Sequence, residues 1–231
     1  PAGGISSLDY AANFADFLKT RQTDQPFCFW YGAHEPHRVF KRGIGRENGG
    51  RLEDVEVPAF LRDAETLRAD LLDYASEIGW FDLHLGRMLD HLQAAGLLKS
   101  TLIVVTADNG MAFPRAKANG YEFGIHVPLA IAWPARVKGG RETRGLVSLI
   151  DLAPTFLDAT GVGHPGEPAM TGVSLLPFLL GDAASPARES LLAGRERHSS
   201  SRHNNWTTPP RPVRLPIDLV IHVPLPDPWP A

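Results

Sequence analysis

The sequence predicts an α/β protein in which a mostly parallel sheet is flanked by helices. Two apolar runs, residues 26–32 and 101–107, have the length and composition of buried strands. Between them, apolar residues recur every three or four positions over residues 64–95, which predicts one long amphipathic helix. A strand, a helix and a second strand in succession form a βαβ unit, and such units build parallel sheets.

The segments around this unit are less regular. Residues 8–19 have a helical spacing of apolar residues and predict a short helix before the first strand. The long helix has Asp63 as a possible N-cap and Gly96 as its end. Residues 39–60 contain several glycines and charged residues without a sustained period, so we expect a long loop over the edge of the sheet.

The carboxyl-terminal part divides into a regular and an irregular stretch. Residues 127–133 predict another strand, and residues 147–161 predict a short apolar stretch followed by a helix. Eight of the last 24 residues are proline, which denies backbone donors to any central strand. We therefore predict an α/β domain over residues 1–182, and a Pro-rich, partly disordered tail over residues 183–231.

Composition excludes several classes of protein. The 231 residues are 43% hydrophobic, which is enough for a core, and the net charge is −3 with no block of like charge. Neither nucleic acid nor an anionic membrane is favoured as a partner, and no stretch is apolar enough to span a bilayer. The single cysteine, Cys28, excludes an internal disulfide, and we expect it to be buried in the core rather than to act as a nucleophile.

Asp108 and Asn109 follow the second predicted strand directly, in the sequence TADNG. In open α/β sheets the carboxyl ends of parallel strands are where binding residues are usually presented. One carboxylate and one amide offer oxygen ligands, which suit a hard cation such as calcium or magnesium. The alternative is a plain turn, because Asn-Gly is a strong turn signal.

A second polar cluster, AHEPHR, follows the first predicted strand and contains His34, Glu35, His37 and Arg38. These groups are suited to binding an anion, holding a metal or shuttling protons, and the alternative is a surface loop with incidental histidines. Lys117 is the single lysine in the loop after Asn109. Its compact charge suits one anionic oxygen, and the alternative is a solvated side chain.

The joint pattern resembles the carboxyl half of the sulfatases, which belong to the alkaline phosphatase-like superfamily. The motifs are H-x-P-H after a strand, T-A-D-N-G after the next, F-P-x-x-K-x-N-x-Y-E-F-G-x-H-V-P-L and V-S-L-I-D-L-A-P-T. Together they look most like the branch of the heparan N-sulfatases, or sulfamidases, and their bacterial relatives. The resemblance covers roughly residues 8–182.

This resemblance implies the hydrolysis of a sulfuric ester or N-sulfo group on a sulfated small molecule or glycan. Asp108 and Asn109 would supply half the ligands of a calcium ion. Lys117 and His34 would contact the sulfate oxygens, with His34 also placed to assist the leaving group. His37 would face the substrate.

The sequence departs from the family at the nucleophile. In the sulfatases this is formylglycine, made from Cys or Ser in a C-x-P-x-R or S-x-P-x-R motif near the amino terminus, where the remaining acidic ligands also lie. Cys28 is followed by Phe-Trp-Tyr, and no S-x-P-x-R occurs. We expect the chain to lack an amino-terminal part, and to be inactive alone. Neither the compartment nor the oligomeric state is predicted.

Two other functions stay open from the sequence. The first is a metal-dependent hydrolase of the same superfamily that acts on phosphate or phosphonate esters. A zinc phosphatase should carry histidine ligands around its aspartate, whereas Asn109 with Lys117 favours sulfate. The second is a non-catalytic, decayed module, which the missing nucleophile and the Pro-rich tail favour.

Overall fold

The chain is described here by a computed structural model over residues 4–164, 166, 168–194, 211–214 and 219–222. It divides into two compact units, Pro1–Lys99 and Ser100–Ala231. The first unit is helical in the described residues, and the second contains both of the described sheets. The boundary expected between residues 182 and 183 stays a prediction.

In the first unit, helix α1 (Tyr10–Thr20) lies against the longest helix, α3 (Glu65–Ala94). Asp9 caps α1 by accepting a hydrogen bond from the Ala12 N–H at 2.9 Å. The apolar side chains of Tyr10, Ala11 and Phe14 are buried on the inner face of α1. The helical spacing read from residues 8–19 is thus confirmed, with a shift of two residues at its start.

Helix α3 begins and ends close to the predicted bounds. Gly96 follows it with φ +70°, and the Leu97 N–H closes the last turn on the Leu92 carbonyl at 2.9 Å. The predicted N-cap was wrong, because Ala64 holds that position and Asp63 pairs instead with the Arg68 guanidinium. Neither α3 nor any other described helix is long and apolar enough to cross a membrane.

The expected loop over residues 39–60 contains a short helix, α2 (Ile44–Glu47), and a 3₁₀ turn at Leu52–Asp54. Helix α2 is held on α3 by Asp73, a buried carboxylate that accepts the N–H groups of Gly43 and Gly45 at 2.9 and 2.8 Å. A Cβ at Gly45 would lie 2.6 Å from the Leu72 side chain, so only glycine permits this approach. Charged and glycine residues therefore build a packed segment here.

Residues 26–32 are extended but are not assigned as a strand, in contrast to the prediction. A strand is defined by its ladder to a neighbour, and no ladder to these residues is present in the described part of the chain. The side chains alternate as in a strand: Phe29 and Tyr31 contact the aromatic rings of Phe14 and Phe81. Cys28 lies on the other face and is exposed, so its predicted burial was wrong.

The second unit begins with β1 (Ile103–Thr106) and β2 (Leu129–Ala132), with the short helix α4 (Glu122–Ile125) between them. The strands pair antiparallel, with Ile103 opposite Ala132 and Thr106 opposite Leu129. All ladders in the described residues are antiparallel, so the expected parallel pairing is not among them. Strands joined through a compact loop can pair antiparallel, whereas a parallel pair needs a crossover.

Helices α5 (Leu152–Thr160) and α6 (Leu176–Leu180) follow, and a buried carboxylate ties them together. Asp151 binds the Arg188 guanidinium at 2.6 and 2.8 Å and accepts the N–H groups of Ser148 and Val173. Burial by itself would raise the pKa of Asp151, but these partners, Arg188 foremost, hold it below its usual value. The helix predicted within residues 147–161 is confirmed.

The described parts of the predicted irregular tail contain short strands. A three-stranded antiparallel sheet is formed by β3 (Leu191–Leu192), β4 (Arg211–Arg214) and β5 (Leu219–His222), with β4 in the centre. Pro212 stands within β4 opposite Ile221, so one donor is lost from this ladder while the other residues pair. The rest of the predicted tail, residues 195–210, 215–218 and 223–231, lies outside the described residues.

Candidate functional site

The turn that carries His34 is fixed through its main chain. The His34 N–H donates to the Tyr10 hydroxyl oxygen at 3.2 Å, and the His34 carbonyl accepts the His37 N–H at 2.8 Å. The imidazole itself is exposed and has no hydrogen-bond partner within the described residues. His34 therefore has a fixed backbone and a side chain free to meet a ligand.

Glu35 turns the other way, into the interior of the first unit. Its carboxylate is 6% exposed and accepts the Tyr10 hydroxyl at 3.1 Å and the Ser6 N–H at 2.5 Å. The ring of Tyr10 meets His84 edge-on and Tyr31 at a tilt, with both centroid distances 5.4 Å. Within the sequence cluster AHEPHR, Glu35 is therefore buried, whereas His34, His37 and Arg38 are exposed.

His37 and Arg38 complete the turn. The His37 Nδ1 lies 2.5 Å from the Arg38 carbonyl oxygen, and since a carbonyl only accepts, Nδ1 is the donor of this hydrogen bond. The Arg38 guanidinium makes two contacts with Asp70, at 2.5 and 3.2 Å, and stacks 4.6 Å from the centroid of Phe40. Arg38 therefore anchors the turn on α3, and the imidazoles of His34 and His37 are exposed.

Two buried titratable groups on α3 were not predicted from the sequence as site residues. Glu77 is 1% exposed, and its Oε1 has no partner within the described chain. Burial is the largest cause that raises the pKa of Glu77 to about 7, and the nearby charges of Glu35 and Asp73 contribute to the same rise. His84 is equally buried and accepts the Ala11 N–H on Nδ1 at 3.2 Å, so its proton is on Nε2. Both residues lie within the apolar stripe of α3, and in the sequence this placement is the feature that indicates their burial.

In the second unit, the Asp108–Asn109 turn follows β1 as predicted. The Asn109 amide nitrogen donates to the Gly110 carbonyl at 2.9 Å, and its oxygen accepts no hydrogen bond from the described residues. Asp108 is exposed, and its carboxylate has no partner among the residues the structure describes. The turn is tight, because a Cβ on Gly110 would lie 1.8 Å from the Phe123 carbonyl oxygen. Side-chain oxygens of Asp108 and Asn109 are therefore presented side by side on one turn.

The loop with Lys117 folds back onto this turn. The Lys117 N–H donates to the Met111 carbonyl at 2.9 Å, and the Lys117 carbonyl accepts the Asn119 side-chain amide at 3.1 Å. Arg115 and Ala118 flank it with φ +63°, a left-handed conformation that is uncommon outside glycine and is frequent at functional sites. The half-buried Lys117 side chain makes no ion pair within the described part of the chain.

The predicted site residues thus form two groups. Asp108, Asn109 and Lys117 share one hydrogen-bonded loop system in the second unit, while His34 and His37 share one turn of the first. Their convergence on one ligand stays a prediction. No cluster of three or more His, Cys, Asp or Glu side chains that could hold a metal occurs among the described residues.

Comparison with solved structures identifies the fold. One protein, determined in complex with its substrate D-glucosamine-2-N,6-O-disulfate, superposes with a TM-score of 0.68 at 21% sequence identity. The match covers 93% of this chain and 60% of that one. The fold is therefore alkaline phosphatase-like, which confirms the predicted α/β fold class.

Sequence comparison gives the family. The protein-family model with the description Sulfatase matches residues 2–162, so the chain belongs to the sulfatase family. It is 33% identical over 211 residues to N-sulphoglucosamine sulphohydrolase of Homo sapiens, covering 79% of this chain and 41% of that protein. It is 30% identical over 203 residues to human N-acetylglucosamine-6-sulfatase, and the match covers 81% of this chain and 36% of that protein. The chain therefore spans about two-fifths of the length of these relatives.

Proposed function

We propose that the protein to which this chain belongs hydrolyses a sulfuric ester or an N-sulfo group on a sulfated sugar. Membership of the sulfatase family and the names of the two human relatives support this. One structural observation carries the proposal. The Lys117 ammonium has no ion-pair partner in the described residues, and it lies on the same loop system as the unpartnered side-chain oxygens of Asp108 and Asn109.

Lys117 is assigned to the sulfate. The oxygens of a sulfate group repel an attacking nucleophile, so the site must offset their negative charge before the bond to sulfur breaks. An ammonium that no carboxylate neutralises in the described chain is available to hold one of these oxygens. Two hydrogen bonds fix the Lys117 main chain, which limits the reorganisation needed when the anion binds.

His34 is assigned to a sulfate oxygen and to the leaving group. An imidazole titrates near neutral pH and can give a proton to the departing oxygen or nitrogen of the sugar. Its fixed backbone and free ring suit this role. His37 is exposed on the same turn with its Nε2 free, and we assign it to the sugar.

Asp108 and Asn109 would hold a calcium ion. The fit rests on their oxygens: one anionic and one amide oxygen lack a partner in the described residues, and both are hard donors. When bound, calcium supplies positive charge against the sulfate. The motifs that yield formylglycine in the family are absent from these 231 residues, so no step at the sulfur atom is assigned to this chain.

The test uses the full-length protein with N-sulfoglucosamine, glucosamine 6-sulfate and 4-nitrophenyl phosphate as substrates. Lys117→Ala should lower kcat/KM for the sulfated sugar about 100-fold or more, by the loss of a charge that stabilises the transition state. Lys138→Ala is the matched control, because Lys138 is exposed in the same unit. For His34→Ala the control is His91→Ala, which removes an imidazole on α3.

The same measurements separate the alternatives. Preference for the phosphate ester over both sulfated sugars would favour a phosphate or phosphonate hydrolase. Absence of turnover on all three substrates would favour a decayed, non-catalytic protein. Wild-type kcat/KM in Lys117→Ala would remove the assignment of Lys117.

A further inference from the structure

Tyr10 and Glu35 lie beside the His34 turn, and the chemistry assigned above uses neither. The Tyr10 hydroxyl makes two hydrogen bonds at once: it donates to Glu35 Oε2 at 3.1 Å and accepts the His34 N–H at 3.2 Å. Because a hydroxyl has one proton, donation to the carboxylate orients its lone pairs toward His34. The carboxylate thus sets the direction in which Tyr10 receives the His34 N–H.

The Glu35 carboxylate is also held at the oxygen that does not contact Tyr10. The second Glu35 oxygen accepts the Ser6 N–H, and the whole carboxylate is buried. A buried carboxylate is costly to desolvate, and an apolar side chain would fill the same space at lower cost. A buried carboxyl group with a hydrogen bond on each oxygen therefore favours a positioning role over simple packing.

The ring of Tyr10 leaves its hydroxyl little freedom. The side chain is 8% exposed, with His84 edge-on to one part of the ring and Tyr31 tilted against another. His84 belongs to α3, and Tyr31 belongs to the extended segment before the turn. Because both rings pack against Tyr10, they limit the movement of its hydroxyl. The hydroxyl in turn defines where the His34 main chain can lie.

We propose that Tyr10 and Glu35 are positioning residues for His34: they hold its main chain so that the free imidazole is aimed at the sulfate and leaving group. This inference rests on the function proposed above for His34. It assigns to α1 a role in catalysis, through a hydroxyl that touches the catalytic turn and not the substrate.

The main test is Tyr10→Phe in the full-length enzyme, which removes one hydroxyl and keeps the ring. A displacement of about 1 Å at a catalytic group can cost about 100-fold in rate, so we expect kcat to fall about tenfold or more. Tyr31→Phe is the matched control. It removes a hydroxyl from the same aromatic cluster, one that donates to the Phe81 carbonyl at 3.3 Å and does not touch the turn.

A double-mutant cycle separates positioning from general destabilisation. In a His34→Ala background, Tyr10→Phe should lower kcat no further, because the group it positions is gone. A loss of the same size in both backgrounds would overturn the proposal, as would wild-type kcat in Tyr10→Phe alone. If His34→Ala itself leaves kcat unchanged, the proposed function of His34 fails instead.

A second measurement is independent of activity. Hydrogen exchange at the His34 amide of the full-length protein should become at least about tenfold faster in Tyr10→Phe, since the acceptor of that N–H is removed. Tyr31→Phe should leave the exchange rate unchanged. Equal rates in wild type and Tyr10→Phe would show that the hydroxyl does not hold the turn.

Discussion

Replacing Glu77 by glutamine should change how the stability of the protein depends on pH. Glu77 is buried without a partner for Oε1 in the described residues, and its pKa is raised from 4.5 to about 7. Below pH 4.5 the side chain is protonated in both the folded and the unfolded chain. Between pH 4.5 and 7 only the folded chain keeps the proton, so stability falls as the pH rises through this window and is level above it.

The size of the effect follows from the two pKa values. Each tenfold change in proton affinity is worth about 1.4 kcal/mol, so Glu77 should withdraw about 3 kcal/mol from the free energy of unfolding by pH 8. Glutamine stays neutral and keeps nearly the same shape. Glu77→Gln should therefore match the wild type at pH 4.5 and exceed its stability by up to about 3 kcal/mol at pH 8.

Urea denaturation followed by tryptophan fluorescence at several pH values measures this difference. Asp82→Asn is the matched control, because Asp82 is exposed on the same helix and loses the same charge. A pH-independent difference between Glu77→Gln and the wild type would refute the argument, since it would show that Glu77 releases its proton as readily when folded as when unfolded.

The remaining predictions concern the second unit and the chain as a whole. The 231-residue chain should not hydrolyse an aryl sulfate in a chromogenic assay, and turnover above background would mean that a nucleophile has been overlooked. Its calcium affinity in calorimetry should be weak, because two ligands of a usual six or more are present; tight binding would reveal further ligands. Gly110→Ala should destabilise by about 3 kcal/mol or more in urea melts, since the new Cβ meets the Phe123 carbonyl, whereas Gly139→Ala, with no atom within 4 Å of its Cβ, should be near neutral. Arg188→Met should cost about 3–5 kcal/mol by leaving the Asp151 carboxylate buried without its cation, and an effect below about 1 kcal/mol would contradict that reading.

The elements read correctly from the sequence are those fixed by local patterns. The apolar spacing and the glycine after it define α3, and the apolar run before Asp108 defines β1. Pairing partners are a different matter, because they depend on residues distant in the chain. The antiparallel match of β1 with β2 and the unpaired state of residues 26–32 in the described structure had no signal in the local sequence.

The candidate site shows the same division. The residues that present free polar groups, His34 and Asp108 among them, stand out in the sequence because they follow apolar runs. The groups that hold them in place do not. Tyr10 and Glu77 occupy positions that a helical pattern assigns to the core, and only the structure shows that Tyr10 bonds the His34 turn and that Glu77 has a raised pKa.

The contacts of Asp151 have a practical consequence for handling the protein. This one carboxylate joins Ser148, Val173 and Arg188, three points of the chain that lie up to 40 residues apart in sequence. A peptide tag inserted near Gly163, or a single protease cut there, would leave all of these bonds in place. The two pieces of a nicked chain should then migrate together under native conditions and separate only in denaturant.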